Sequence, residues 1–120
     1  MIPKTNGVTE RDNETTLAQT WAKMEEALEK GKVRNIGISN FTKSEVEELL
    51  QIAKHVPDVM QIETHPFLQQ QAYIDWLVSK GLIVTAYSPL GNLNPTYGVG
   101  DGGKTVDNEV VKEIAESESG

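Results

Sequence analysis

Apolar residues recur at the spacing of amphipathic helices in four stretches of this 120-residue chain. The first helix is predicted to begin after a capping box made by Thr16 and Gln19 and to end at Gly31. Its apolar positions are Leu17, Trp21, Met24 and Leu28. Because these positions lie on one side of a helix, we interpret Trp21 and Met24 as core residues.

Three further helices follow the same rules. The second is predicted from a capping box at Thr42 and Glu45, and it must end before Pro57. A third is predicted at about residues 69–80, and a last one after a cap at Asp107. The predicted inner faces contain Val46, Leu49, Leu50 and Ala53, then Tyr73, Ile74 and Leu77, and finally Val110, Val111 and Ile114.

Short apolar runs between the helices predict three strands, at Ile36–Ile38, Val59–Glu63 and Leu82–Tyr87. Nearly continuous runs of this kind are typical of parallel strands that are covered on both faces. The order α-β-α-β-α-β-α therefore predicts an α/β fold with a parallel sheet and right-handed crossovers. Residues 1–15 are predicted to be a polar N-terminal loop, and residues 16–120 a single domain.

Composition narrows the functional class. The formal net charge of −7 argues against nucleic acid and against anionic membrane surfaces as partners. The chain contains no cysteine, which excludes disulfides, thiolate metal sites and thiol nucleophiles. No apolar run approaches the roughly 20 residues of a membrane span, and the N-terminus lacks the apolar core of a signal peptide. We therefore expect a cytoplasmic protein.

Polar residues stand where the predicted strands end. Ser39 and Asn40 follow the first strand, Gln61 lies in the second, and Tyr87 and Ser88 end the third. The carboxyl ends of parallel strands meet at one edge of a sheet, where α/β folds bind ligands. Amides and hydroxyls suit a neutral, planar ligand, and a tyrosine ring can stack on it. The segment 88–92 also offers backbone N–H groups for a phosphate.

The other motifs in the sequence give weaker evidence of function. Residues 98–103 match the glycine pattern of a dinucleotide-binding loop, but no strand and helix flank them directly, so we interpret them as a mobile loop. No His, Asp and Glu stand at the spacing of metal ligands, and no catalytic triad can be assembled. Glu63 is the one carboxylate at a strand end, and we expect it to make a structural hydrogen bond.

Four blocks, in order, resemble the aldo-keto reductase family. They are Thr20-Trp21 with Met24-Glu25, residues 31–41 (GKVRNIGISNF), residues 61–66 (QIETHP) and residues 86–91 (AYSPLG). The resemblance runs from about Thr16 to the end of the chain. It implies part of a (β/α)₈ barrel (a TIM barrel), an NADP(H) cofactor across the strand ends, and reduction of aldehydes or ketones to alcohols by hydride transfer.

The resemblance also implies roles for single residues. Ser39, Asn40 and Gln61 resemble the residues that hydrogen-bond the nicotinamide carboxamide, and Tyr87 resembles the ring that stacks on the nicotinamide. The remaining cofactor-binding residues, implied to contact the pyrophosphate, are Ser88, Leu90 and Asn92. No residue of the chain matches the family's Asp, Tyr, Lys and His tetrad, which lies on earlier strands, so no catalytic residue is carried over.

We therefore expect a fragment of an NADP-dependent oxidoreductase that is inactive as the 120-residue chain alone. The alternatives are a non-catalytic module that binds the cofactor or an interaction partner, and an independent small α/β domain. If the chain is part of a full barrel, the expected partner is a small carbonyl substrate. The sequence does not identify that substrate, the preference between NADP and NAD, or the oligomeric state.

Overall fold

Helices and parallel strands alternate along the chain from residue 17 onward. The computed structural model describes residues 2–3, 9–10, 14–91 and 105–118. Its elements are β1 (Ile2–Pro3), β2 (Thr9–Glu10), α1 (Leu17–Glu29), β3 (Gly37–Ser39), α2 (Lys43–Ile52), β4 (Val59–Glu63), α3 (Gln71–Ser79), β5 (Ile83–Tyr87), a 3₁₀ turn (Thr105–Asp107) and α4 (Glu109–Glu118). This order confirms the predicted α/β class.

Strands β1 and β2 were not expected. They form an antiparallel pair in which Ile2 faces Glu10 and Pro3 faces Thr9. The predicted N-terminal loop therefore contains a short ladder at these four positions. A ladder of two residues needs no apolar run, so the pattern of apolar positions could not reveal it.

The chain divides into two compact units, Met1–Ile36 with Phe41–Pro57 and Gly37–Asn40 with Asp58–Gly120. Both predicted capping boxes are present in the first unit. The N–H of Gln19 donates to Thr16 Oγ1 at 3.2 Å, and the N–H of Thr16 donates to Gln19 Oε1 at 2.9 Å. The same reciprocal pair joins Thr42 and Glu45 at the start of α2. Each box satisfies two N–H groups that a helix start would otherwise leave unpaired.

A buried carboxylate ties α1 to the segment after α2 within the first unit. Glu25 is 7% exposed, and its Oε1 accepts hydrogen bonds from the Trp21 indole at 3.0 Å, the Lys54 N–H at 2.7 Å and the His55 N–H at 2.9 Å. The His55 N–H lowers the pKa of Glu25 most, with help from the Lys54 N–H and the Trp21 indole, while burial opposes them. The prediction that Trp21 is a core residue is confirmed, whereas the burial of Glu25 was not predicted.

The second unit contains a parallel three-stranded sheet in the order β3-β4-β5. Ser39 lies opposite Gln61, Gln61 lies opposite Thr85, and Glu63 lies opposite Tyr87. Since residues in register on neighbouring strands project to the same face, this register sorts the side chains of all three strands into two sets.

On β3 and β4 one of these two sets is buried, whereas on β5 its members Val84 and Ala86 are half-buried and exposed. Ile38, Met60 and Ile62 are buried, whereas Gln61 is exposed and Ile83 is 67% exposed on the opposite face. The prediction that the strands are covered on both faces is therefore wrong for the described residues. The apolar run of β5 led to this prediction because the spacing of apolar residues does not show whether a further layer of structure covers the second face of the sheet.

Helix α3 contacts β5 and ends in a paired turn. The Gly81 N–H donates to Val78 O at 2.9 Å and the Leu82 N–H donates to Leu77 O at 3.2 Å, so the chain leaves the helix through a Schellman motif. Leu77 and Leu82 are both buried, as expected for the apolar contact that accompanies this motif.

Helix α4 differs from its prediction in two respects. Its start is capped by Asn108, whose Oδ1 accepts from the N–H of Val110 at 3.0 Å, because Asp107 belongs to the preceding 3₁₀ turn. Its predicted inner face is not covered by the described residues, since Val110 is 61% and Ile114 57% exposed.

None of the described helices is long and apolar enough to cross a bilayer.

Strand β3 approaches β4 very closely at Gly37. A Cβ at this position would lie 2.6 Å from Val59 O and 3.2 Å from Val59 Cβ. These distances are too short for any side chain, so the pairing of the two strands requires glycine here.

Replacing Gly37 with alanine should therefore push β3 away from β4. We expect Gly37→Ala to lower the free energy of unfolding by about 3 kcal/mol, the upper end of the cost of overpacking, as measured by urea denaturation. The control is Gly31→Ala, where a Cβ meets nothing within 4 Å and only the positive φ of 65° is strained, at roughly 1–2 kcal/mol. An equal or smaller loss at Gly37 would contradict this account.

Replacing Glu25 with glutamine should destabilise the chain in a pH-dependent way. The folded pKa lies below the ordinary value of 4.5, so the carboxylate's contribution is present above that value and disappears as the pH falls through the folded pKa. At neutral pH we expect Glu25→Gln to cost about 1.5–3 kcal/mol in urea denaturation, with the difference from the native chain shrinking in acid.

The matched control for this series is Glu29→Gln, on an exposed position of the same helix. We expect it to change the free energy of unfolding by less than about 0.5 kcal/mol. A loss at Glu25→Gln that stays constant from neutral to acid pH would mean that the charge of Glu25 contributes nothing.

Candidate functional site

The register of the sheet brings the predicted strand-end residues onto one exposed surface. Ser39, Gln61, Glu63, Thr85 and Tyr87 project to the same side of β3, β4 and β5. We call these five residues the polar face. Ser39 and Gln61 are exposed, and the other three are half-buried. Side chains predicted from three separate stretches of sequence therefore meet on one side of the sheet.

Asn40 stands at the point where β3 ends. Its φ of 59° is left-handed, and its N–H continues the ladder by donating to Gln61 O at 3.0 Å. Its side-chain Nδ2 donates to Ser39 Oγ at 3.0 Å. The exposed Asn40 amide is thus held beside the polar face by a backbone bond and a side-chain bond, in a conformation that asparagine adopts more readily than most residues.

A tight turn follows Tyr87 at the end of β5. Ser88 has a positive φ of 48°, and its carbonyl accepts from the Gly91 N–H at 2.8 Å. We call residues 88–91 the β5 turn. Leu90 within it is 56% exposed. The turn directly continues the strand that carries Tyr87, so it lies at the carboxyl edge of the sheet.

Thr105 packs against this turn and was missed by sequence reasoning. It is 3% exposed, and its Oγ1 would be 2.8 Å from a Cβ built on Gly91. Gly91 has a φ of 78°, so this position is restricted both by conformation and by the Thr105 hydroxyl. A threonine shortly before a helix is usually interpreted as a cap, and nothing in the sequence signals its contact with residue 91.

Glu63 and His65 are held by local structure. His65 Nε2 lies 3.6 Å from Glu63 Oε1. His65 Nδ1 accepts from the Phe67 N–H at 3.3 Å, and Glu63 O accepts from Gln70 Nε2 at 2.8 Å. The backbone of Glu63 thus makes a structural hydrogen bond. Across the described ranges, no group of three or more His, Asp or Glu side chains could hold a metal ion.

Two predicted features lie outside the described residues. They are Asn92, implied to contact a pyrophosphate, and the glycine pattern of residues 98–103.

The described arrangement has a definite chemical character. The polar face and Asn40 combine amide donors and acceptors with one aromatic ring, which suits a flat, uncharged group that carries its own amide. The β5 turn adds a tight backbone loop of the kind that can approach a phosphate. Both lie at the carboxyl ends of parallel strands.

Comparison with known proteins agrees with this geometry. The sequence profile of the aldo/keto reductase family matches residues 8–112. The NADPH-dependent D-xylose reductase of Meyerozyma guilliermondii is 42% identical over 105 residues, 83% of this chain and 33% of that protein. Aldo-keto reductase family 1 member A1 of Gallus gallus is 36% identical over 116 residues, 97% of this chain and 36% of that protein. The chain spans about a third of the length of these relatives.

A solved structure gives the same result for the fold. An aldose reductase from Giardia lamblia superposes with a TM-score of 0.80 at 34% identity, over 98% of this chain and 40% of that one. The parallel strands alternating with helices are therefore part of a (β/α)₈ barrel, as predicted. Since the family profile covers most of the sequence and the fold agrees with it, this chain belongs to the aldo/keto reductase family.

Proposed function

We propose that this chain is part of an NADP(H)-dependent oxidoreductase that reduces aldehydes or ketones to alcohols, and that it carries the nicotinamide side of the cofactor site. The observation that supports the proposal most is the polar face itself. In a member of this family, Ser39, Gln61 and Tyr87 lie on one exposed side of the sheet, at or near the strand ends.

The residues present fit a nicotinamide. Its carboxamide carries one donor group and one acceptor, and the side chains of Ser39, Asn40 and Gln61 offer both kinds of partner. The Tyr87 ring, half-buried at the end of β5, provides a surface for stacking. When bound, NADPH supplies the hydride, and these side chains bind and orient the ring that carries it.

The β5 turn fits the phosphates. We propose Ser88 and Leu90 as contacts for the pyrophosphate of the cofactor, with Asn92 as a further contact. The left-handed Ser88 and Gly91 make the backbone loop tight enough for a close approach. The choice of NADP(H) is supported by the NADPH-dependent D-xylose reductase among the relatives.

No residue of the chain is proposed to act on the carbonyl group. The family resemblance implies that the Asp, Tyr, Lys and His tetrad belongs to strands outside these 120 residues. We therefore propose that the chain alone binds cofactor without reducing carbonyls. The partner would be a small carbonyl compound, and the proposed location is the cytoplasm.

Removing the Tyr87 ring should weaken NADPH binding. We expect Tyr87→Ala to raise the Kd for NADPH roughly 5- to 150-fold, the range given by loss of one stacking partner. Isothermal titration calorimetry on the folded chain would measure it. Tyr87→Phe keeps the ring and should bind within about twofold of the native chain.

The design separates stacking from other effects of the substitution. If Tyr87→Phe weakened binding as much as Tyr87→Ala, the hydroxyl and not the ring would carry the contact. If neither variant changed the Kd, the nicotinamide would not lie on this face.

The pure chain should show no carbonyl-dependent loss of NADPH absorbance while still binding NADPH. The reason is that none of the residues proposed to bind the cofactor is proposed as the acid that would protonate a developing alkoxide. Turnover of an aldehyde that is abolished by Tyr87→Ala would refute the proposed inactivity.

The second candidate function, an interaction module, is favoured by the exposed apolar residues Ile83, Val110 and Ile114. It predicts a stable complex with another protein and no measurable binding of NADPH.

A further inference from the structure

The hydroxyl of Thr105 is buried without a hydrogen-bond partner among the described residues. Buried polar side chains are nearly always paired, so a threonine at a site with no partner needs a separate reason. Valine has nearly the same shape and would avoid the cost of burying the hydroxyl. The reason for threonine at position 105 must therefore be a contact that suits an oxygen better than a methyl group.

Gly91 borders this oxygen. A Cβ on Gly91 would lie 2.8 Å from Oγ1, so the hydroxyl oxygen fills the space beside the side-chain position of that glycine. An oxygen fits this space, whereas the larger methyl group of valine would push the backbone away. The Gly91 N–H closes the β5 turn on Ser88 O, so a shift of Gly91 would open the turn.

We propose that Thr105 is a positioning residue that holds the β5 turn in the conformation that receives the diphosphate of the cofactor. This rests on the proposed function, which assigns the turn to the pyrophosphate. Thr105 acts through Gly91 and does not itself touch the ligand. Its hydroxyl oxygen fixes the distance between the start of the 3₁₀ turn and the β5 turn.

The test uses three variants of the full chain and two probes, NADPH and inorganic pyrophosphate. Thr105→Val should raise the Kd for both probes roughly tenfold, equivalent to loss of about one hydrogen bond to the diphosphate. Thr105→Ser keeps the oxygen and should restore both Kd values to within about twofold of native. Gln61→Ala, at the nicotinamide end, should weaken NADPH and leave pyrophosphate unchanged.

Controls separate positioning from general stability. Thr20→Val, on an exposed position of α1, should change neither Kd. All titrations are made well below the melting temperature of each variant, so a merely structural role of Thr105 would lower that temperature without changing the Kd for pyrophosphate.

Each outcome has one meaning. If the native chain binds NADPH and Thr105→Val binds both probes equally well, the positioning role is wrong and the proposed function stands. If the native chain binds pyrophosphate but not NADPH, and Thr105→Val weakens it, Thr105 positions the β5 turn for a diphosphate other than that of NADPH, and the proposed function is wrong. Binding of neither probe overturns both.

Discussion

The parallel register between β3, β4 and β5 is the constraint on which the candidate site depends. It places Ser39, Gln61 and Thr85 in one line and adds Tyr87 two residues further along β5. A slip of one residue at either interface would send a strand's polar residues to the buried side and its apolar residues outward. The close approach at Gly37 permits the first of these interfaces, so the glycine that shapes the strand also determines where Ser39 and Asn40 lie.

Much of this arrangement was predictable because it is encoded locally. The capping boxes at Thr16 and Thr42 involve residues three apart, and β4 spans the five residues expected from its apolar pattern. The meeting of three strand ends followed from the α-β alternation, which implies a parallel sheet. The sequence also identified Ser39, Gln61 and Tyr87 of the polar face, but not Thr85.

What the sequence did not reveal depends on contacts between distant residues. The burial of Glu25 requires N–H groups that lie 29 and 30 residues away. The contact between Gly91 and Thr105 joins positions on either side of a long connection. The exposed faces of β5 and α4 depend on which layers are present, and the spacing of apolar residues carries no information about that.

The residues that follow β3 and β5 share a positive φ, which is an unfavourable backbone conformation for residues other than glycine. Asn40 and Ser88 are both non-glycine residues in the left-handed region, and each immediately follows its strand. A glycine would relax the backbone by roughly 1–2 kcal/mol at Ser88, and by less at Asn40 because asparagine tolerates the left-handed region better. It would also delete the side chain that the strand end presents. At these two positions the fold and the proposed site place opposite demands on the residue, because the residue most favourable for the backbone supplies no side chain to the site.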